Sequence, residues 1–190
     1  MNYCNQCGAG LRSEIPEGDD RLRYVCTSCE WIHYENPRII VGCLPVWEEE
    51  ILLCRRSIEP RRGYWTLPCG FMENGERVED GALRETLEEA NARVEIENLH
   101  TLYSVVHVNQ VYLIFLARLV DLEFFPGYES LETVLFKHDQ IPWEEIAFSS
   151  VRFCLENYVK DFPNLSPQPI RGSLVRNRSN TPRPGFNSKP

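Results

Sequence analysis

The chain has 190 residues, of which 43% are apolar, enough for one ordinary domain and a small appendage. Its formal net charge is −8, and such an acidic body is expected to repel nucleic-acid phosphates, so nucleic acid is an unlikely partner. The longest apolar run, Val111 to Val120, contains Arg118 and is shorter than the roughly 18 residues of a membrane span, so no membrane segment is predicted.

Two Cys-x-x-Cys pairs near the N-terminus form the first feature along the chain: Cys4, Cys7, Cys26 and Cys29. Thiolates at this spacing are typical of a structural zinc site. Disulfides are the alternative, but they suit a secreted chain, and the polar N-terminus does not resemble a signal peptide, so a cytoplasmic location is expected. Residues 1–36 are therefore predicted to form a zinc ribbon that folds on its metal. On an acidic protein, packing or homodimer formation is favoured over nucleic-acid binding as the role of this ribbon.

Four more cysteines lie among apolar neighbours and are expected to be buried thiols: Cys43, Cys54, Cys69 and Cys154. A nucleophilic role for Cys69 is not favoured, because no histidine stands near it in the sequence.

Residues 37–162 alternate between strand and helix patterns and are predicted to form the main domain. The predicted strands cover 39–47, 51–55, 94–99, 102–108, 111–120 and 133–137, and the predicted helices cover about 78–91 and 148–158. This order predicts an α/β fold with a mixed sheet. Residues 163–190 form a Pro/Arg-rich tail with no acidic residue, which is typical of disorder or of a segment held against the body or a second subunit.

Three glutamates dominate the segment GFMENGERVEDGALRETLEEANA at residues 70–92: Glu85, Glu88 and Glu89. Helical periodicity places them on one face, where their charges repel one another. A divalent cation would turn this repulsion into coordination, and carboxylate oxygens suit magnesium or manganese. A solvated acidic face is the alternative interpretation.

The opposite face of this predicted helix carries apolar side chains. Leu83, Leu87 and Ala90 fall there, and we expect them to pack on the core.

The same segment contains a longer pattern, GX5EX7REUXEE, which begins at Gly70 and includes Glu76 and Arg84. This pattern resembles the Nudix box of the Nudix hydrolases. The chain departs from it at Asn91, where the family has glycine at the helix end, and asparagine is the next-best residue for a left-handed cap. The resemblance implies a Nudix α/β/α sandwich and hydrolysis of the pyrophosphate bond of nucleoside diphosphate derivatives.

The resemblance also implies roles for residues of the motif. It implies that Mg2+ or Mn2+ is held by the Gly70 carbonyl and by the carboxylates of Glu85, Glu88 and Glu89. Glu76 and Arg84 match positions that brace the loop against the helix, so loss of Arg84 is expected to damage geometry more than chemistry.

Further site residues are expected outside the motif. Similar segments in the family place a glutamate about four residues before an aromatic residue, which points to Glu132 as a ligand or general base; Glu129 is the competitor, and a loop carboxylate without a role is the alternative. Among the arginines that precede the motif, Arg55 is the best candidate for a substrate phosphate, although solvent-facing arginines are equally compatible with the sequence. Gln110 is a candidate for reading a base edge.

The flanking segments bear on the substrate. The SQPWPFPxS element of NADH pyrophosphatases does not occur downstream of the motif. The segments WTLPCGFMENGE, VNQVYLIFLARL, FPGYESLETVLF and IPWEEIAFSS closely resemble plant chloroplast-type FAD and ADP-ribose pyrophosphatases, apart from Cys69, where that subgroup usually has a small residue. The resemblance implies cleavage of FAD or ADP-ribose with release of AMP. The alternatives are an NADH or nucleotide-sugar pyrophosphatase, and a non-catalytic nucleotide sensor whose ribbon binds nucleic acid or protein.

Overall fold

The computed structural model describes residues 1–175 and divides the chain into two compact units, Met1–Pro37 and Arg38–Pro190. Most of the basic residues of the predicted tail lie outside the described residues: Arg176, Arg178, Arg183 and Lys189. No helix among residues 1–175 is long and apolar enough to cross a membrane.

The first unit is a three-stranded antiparallel sheet that carries the cysteines. Its strands, in spatial order, are β1 (Leu11–Glu14), β2 (Arg23–Cys26) and β3 (Ile32–His33).

The four sulfur atoms of the two Cys-x-x-Cys pairs converge in this unit. Cys4 Sγ lies 3.8 Å from Cys29 Sγ, Cys7 Sγ lies 3.4 Å from Cys26 Sγ, and all four lie within 4.8 Å of one another. A tetrahedral zinc site with bonds of about 2.3 Å separates its sulfurs by about 3.8 Å, so these residues fit a structural zinc ion. The predicted zinc ribbon is thus supported by geometry as well as by spacing.

Removal of zinc is expected to unfold this unit, because three short strands bury too little apolar surface to fold alone. We expect one zinc per chain by elemental analysis. A zinc chelator should remove the circular-dichroism signal of the ribbon, and Cys26→Ser should show the same loss without chelator. Cys154→Ser, at a buried cysteine of the other unit, is the matched control. A ribbon that keeps its structure after complete loss of zinc would refute this account.

The second unit contains one mixed eight-stranded sheet and two helices. The strands are β4 (Arg38–Trp47), β5 (Glu50–Arg56), β6 (Trp65–Thr66), β7 (Cys69–Phe71), β8 (Val94–Val105), β9 (Gln110–Leu119), β10 (Ser130–Lys137) and β11 (Ile170–Leu174). The helices are α1 (Val78–Ala90) and α2 (Ser149–Asp161). The main spatial order is β10-β5-β4-β9-β8-β11, with β6 paired to β5 and β7 to β4; the β4/β9 and β8/β11 pairs are parallel.

The two helices cover opposite faces of this sheet. On β4, Ile40 and Leu44 pack in the same core cluster as the buried side chains of α2. Val41 and Cys43 pack in a second cluster, together with Ala82 of α1. This division follows from the alternation of side chains along a strand. The predicted α/β sandwich with a mixed sheet is confirmed.

One predicted boundary was wrong. The segments 94–99 and 102–108, predicted as two strands, form the single strand β8, and residues 106–108 form a short 3-10 turn. Register shifts between Ile96 and Asn98 and between Leu99 and Thr101 interrupt the alternation of β8, which explains why its sequence reads as two strands.

The predicted inner face of α1 was right for Ala90 but wrong for Leu83 and Leu87. Leu83 and Leu87 are 37% and 51% exposed, whereas Glu85 and Glu89 are buried together with Ala90. Small residues on the sheet side allow α1 to approach β4 closely, since a Cβ on Gly81 would lie 2.9 Å from Val41. Two carboxylates therefore occupy the interior side of a helix whose leucines face solvent.

The first part of the predicted tail belongs to the sheet. β11 pairs in parallel with β8 over Thr101 to Val105. At Gly172 the chain lies against Phe153 of α2, and a Cβ there would approach the ring to 2.6 Å. Residues 170–174 are thus packed between the sheet edge and α2.

Candidate active site

A cavity of about 1150 Å3 opens in the second unit between the motif segment, the start of α2 and the loops that flank β5 and β10. Of the predicted site residues, it is lined by Gly70, Arg84, Glu85, Glu88, Glu89 and Gln110. The motif loop and helix are therefore brought together on one cavity wall.

The carboxylates of α1 lie against β7. A Cβ on Gly70 would lie 2.3 Å from Glu85 Oε2, so only glycine leaves room for this carboxylate. The backbone N–H of Cys69 donates to Glu89 Oε2 over 3.1 Å. β7 itself is held by antiparallel pairing with β4. The spacing of the motif thus places two acidic groups beside the Gly70 backbone.

These carboxylates are poorly solvated. Burial raises the pKa of Glu89 to about 8; the Cys69 N–H opposes the shift and the charge of Glu85 adds to it. Burial also raises the pKa of Glu85, and the Arg84 guanidinium opposes that rise. A divalent cation would compensate both effects, so the donor set fits magnesium or manganese.

The carboxylates are less tightly gathered than the thiols of the ribbon. Among residues 1–175, the four cysteines are the one group of three or more His, Cys, Asp or Glu side chains that lie close enough together to hold a metal ion as they stand. Arg84 holds two of the carboxylates, since its Nη1 donates to Glu85 Oε1 over 2.8 Å and to Glu88 Oε2 over 3.1 Å. Binding of a cation by these carboxylates would therefore require their oxygens to move closer together.

Arg84 also joins the motif loop to α1. Its Nε and Nη2 donate to the two carboxylate oxygens of Glu76 over 3.1 and 2.8 Å, and its Nη2 donates to the Phe71 carbonyl over 3.1 Å. The guanidinium lowers the pKa of Glu76 to about 2. Bidentate pairs of this kind fix orientation as well as charge, which is the geometry of a brace.

Arg55 and Glu132 are not among the residues that line the cavity. They face each other across β5 and β10, where Arg55 Nη1 donates to Glu132 Oε1 over 2.7 Å. Arg55 Nε also donates to the Gly63 carbonyl. The predicted phosphate contact and the predicted extra carboxylate thus form an ion pair with each other.

Their neighbours line the cavity instead. Arg56 follows Arg55 and points to the opposite side of β5, because successive residues of a strand alternate. A register shift between Ser130 and Glu132 interrupts β10, and Glu129, just before it, lines the cavity. The charge of Glu129 contributes to the raised pKa of Glu89. The sequence favoured Glu132 because of its distance from the aromatic residue that follows, and no signal in the sequence marks the bulge that separates it from Glu129.

The loop that leads to Glu129 is docked on the C-terminal end of α1. Asn91 adopts the predicted left-handed conformation, with φ 47°. The N–H of Phe125 donates to the Ala90 carbonyl and that of Gly127 to the Glu89 carbonyl, over 3.0 and 2.9 Å. These bonds satisfy carbonyls that a helix end leaves free, and they fix the loop beside the glutamates.

Three of the four thiols that were predicted to be buried are so: Cys43, Cys54 and Cys154. The prediction was wrong for Cys69, which is only partly buried because it lines the cavity. Burial, with the nearby charge of Glu89, raises the pKa of Cys69 well above its usual value, so this thiol stays protonated at neutral pH. A thiolate nucleophile in the cavity is therefore disfavoured.

Two family models match the chain. The one described as "Nudix N-terminal", a zinc ribbon, matches residues 2–35, and the one described as "NUDIX domain" matches residues 36–161.

Individual relatives agree with these matches. A crystal structure of a NUDIX hydrolase from Nitrosomonas europaea is 52% identical, covers 92% of this chain and 99% of its own, and superposes with a TM-score of 0.88. An ADP-ribose pyrophosphatase of Methanocaldococcus jannaschii is 28% identical over 68% of this chain and 75% of its own length. A protein of Vibrio vulnificus named NAD-capped RNA hydrolase NudC is 29% identical over 75% of this chain, which spans only 53% of that relative.

The larger family match extends over more than half of the chain, and the carboxylates of its motif line the cavity. The chain therefore belongs to the Nudix family of hydrolases and carries that family's zinc ribbon at its N-terminus.

Proposed function

We propose that this Nudix hydrolase is a divalent-metal-dependent pyrophosphatase that cleaves FAD or ADP-ribose and releases AMP. The observation that carries the proposal is the set of motif glutamates lining one cavity with arginines, Arg56 and Arg61 among them. The relative named ADP-ribose pyrophosphatase supports a substrate of this class. The cytoplasm and a homodimer are the location and assembly that we propose with it.

The metal would be Mg2+ or Mn2+, held by Glu85, Glu88, Glu89 and the Gly70 carbonyl. A bound divalent ion neutralises phosphate charge and acidifies water. The chain supplies the rest of the site: Arg84 keeps two of the glutamates beside the motif loop, and the other arginines of the wall bind the diphosphate.

Two residues outside the motif take the roles that the sequence suggested for their neighbours. We propose Arg56 as the phosphate contact, since it lines the cavity and its guanidinium lies 5.0 Å from the centre of the Phe148 ring. We propose Glu129 as the additional carboxylate, a ligand or general base, because it stands close enough to raise the pKa of Glu89. Arg55 and Glu132 then stabilise the β5/β10 pair beneath them.

A second candidate substrate class is NADH or the NAD cap of RNA. Proteins named NAD-capped RNA hydrolase NudC match between 49% and 75% of this chain. The net charge of −8 disfavours binding of the RNA body.

A substrate panel tests the proposal. Purified protein would be incubated with FAD, ADP-ribose, NADH, NAD-capped RNA, UDP-glucose and dGTP, each with Mg2+, with Mn2+ or without either metal. We expect AMP release from FAD or ADP-ribose that requires the metal. Preference for dGTP or for capped RNA would refute the substrate assignment, and failure to hydrolyse any of the compounds would refute the activity. Light scattering of the same sample tests the homodimer.

A further inference from the structure

One tyrosine at the rim of the cavity has no part in metal or diphosphate binding. Tyr128 lines the cavity, yet it is 98% exposed, more than any other large hydrophobic residue among residues 1–175. A packed aromatic side chain buries roughly 150–250 Å2, so Tyr128 leaves nearly all of this contact area unused by its own chain. An aromatic ring presented to a cavity in this way is available to a ligand.

The backbone beneath this ring is held on both sides. On one side, the N–H of Gly127 donates to the Glu89 carbonyl over 2.9 Å. On the other, the N–H of Ser57 donates to the Glu129 carbonyl over 2.8 Å, and the Ser57 hydroxyl donates to the carbonyl of Tyr128 itself over 3.2 Å. The ring is therefore exposed on a backbone whose place beside the glutamates is fixed.

Two other exposed apolar side chains line the cavity, but neither offers a ring as open as that of Tyr128. They are Ile58, in the loop after β5, and Phe71 of β7. The Arg38 guanidinium already lies 5.5 Å from the centre of the Phe71 ring. Together with Tyr128, these side chains make part of the wall apolar, whereas the motif glutamates and the arginines make the rest charged. Such a division suits a nucleotide, whose base has apolar faces and whose phosphates are charged.

The phenol ring of Tyr128 is suited to stacking. Every nucleobase has a π-face, and stacking on an aromatic side chain typically strengthens the binding of a base by about tenfold to a hundredfold. The uncharged phenol is a weaker partner for phosphate than the arginines of the wall. Tyr128 lies between Gly127, which is bonded to the Glu89 carbonyl, and Glu129. A ring stacked on Tyr128 therefore stands beside the carboxylates that would hold the metal.

We propose that Tyr128 is the platform on which the adenine of the substrate stacks. The inference rests on the proposed function and makes it more specific. FAD and ADP-ribose share their AMP half, and ADP-ribose has no second ring, so a platform that serves both substrates has to hold adenine. The base lies away from the bond that breaks, so its binding energy is expected to act on KM rather than on kcat.

Three substitutions of Tyr128 test whether the ring acts by stacking. Tyr128→Ala should raise the KM for ADP-ribose and for FAD about tenfold and change kcat by about twofold or less. Tyr128→Phe should keep the wild-type KM, because it keeps the π-face. Tyr128→Leu should behave like Tyr128→Ala, because leucine is apolar but has no π-face. The melting temperature should not change in any of the three, because Tyr128 buries almost no surface.

A binding measurement that needs no turnover accompanies the kinetics. The probe is 1,N6-etheno-AMP, a fluorescent analogue of the product AMP whose emission is quenched when its ring stacks. We expect quenching by the wild type and by Tyr128→Phe, and binding about tenfold weaker in Tyr128→Ala. Phe125→Ala is the matched control, because Phe125 is an exposed ring of the same loop that does not line the cavity. It should quench the probe as the wild type does.

Several results would overturn the inference. A rise in KM for FAD alone would assign the ring to isoalloxazine instead of adenine. Wild-type KM values in Tyr128→Leu would show that stacking is not needed. Loss of a homodimer in Tyr128→Ala, seen by light scattering, would assign the exposed ring to a subunit interface.

The outcomes also separate the inference from the proposed function. Hydrolysis of ADP-ribose that does not depend on Tyr128 overturns the inference and leaves the pyrophosphatase standing. Quenching of etheno-AMP that depends on Tyr128, in a protein that hydrolyses no diphosphate, supports the adenine platform and refutes the activity.

Discussion

Glu89→Gln is expected to reduce turnover by about 10³-fold or more without unfolding the protein. Glu89 is a buried carboxylate in the cavity, and glutamine keeps its shape but loses the charge that binds a cation. Metal ions contribute several kcal/mol to charge stabilisation in such reactions, and each 1.36 kcal/mol changes a rate tenfold. Initial rates with FAD and ADP-ribose at saturating Mg2+ measure the loss.

The same substitution is expected to stabilise the protein at high pH when no catalytic metal is present. Because the pKa of Glu89 is raised to about 8, the folded state keeps a proton that the unfolded state releases above about pH 4.5. The unfolding free energy of the wild type should therefore decrease as the pH rises from about 4.5 to about 8, by up to about 1.4 kcal/mol per pH unit. Glutamine removes this dependence.

Melting curves in Mg2+-free buffer, with the ribbon's zinc retained, test the direction of this pH dependence. At pH 8.5 the Glu89→Gln variant should melt at a higher temperature than the wild type, and at pH 4.5 the difference should vanish. Mg2+ should stabilise the wild type more at pH 8.5 than at pH 5.5, and should not stabilise the variant. Glu79→Gln, on the same helix, is the control. Full activity of the variant would exclude Glu89 as a ligand.

Gly127→Ala should be the most damaging single change outside the motif. A Cβ at this position would lie 1.7 Å from the Glu88 carbonyl oxygen, a backbone atom that cannot rotate away. The loop would have to leave the end of α1 and lose its bonds to the Glu89 and Ala90 carbonyls. We expect a loss of about 2–4 kcal/mol in unfolding free energy, and a melting temperature lower by roughly 5–10 °C.

Activity should fall more than stability suggests, because the displaced loop carries Glu129. We expect kcat to fall at least tenfold at a temperature where the variant remains folded. Gly10→Ala is the matched control, since a Cβ there meets nothing nearer than 4.0 Å. Wild-type kcat in a folded Gly127→Ala protein would show that the docked loop does not position the site.

The motif could be read from the sequence because its information is local. The spacing of Gly70, Glu85 and Glu89 fixes which groups meet once the helix forms, and the left-handed cap at Asn91 follows from residue type alone. The ribbon cysteines are equally local within each Cys-x-x-Cys pair.

What the sequence did not predict depends on register and on packing between distant segments. Arg55 and Arg56 are adjacent, and only the placement of β5 in the sheet decides which of them lines the cavity. On β10, the bulge before Glu132 likewise decides that Glu129 and not Glu132 lines the cavity. Leu83 and Leu87 are exposed, against the usual pattern for apolar side chains, because the buried side of α1 carries small residues and two carboxylates instead.

The C-terminal strand β11 matters for the design of truncated forms of this protein. The NUDIX family match ends at residue 161, yet β11 at Ile170–Leu174 forms the last strand of the sheet, and Leu174 lines the cavity. A recombinant fragment cut at the family boundary would leave β8 as an unprotected edge, open to intermolecular pairing. It would also remove one side of the pocket. Poor solubility or altered selectivity in such a fragment would reflect the missing strand rather than the enzyme.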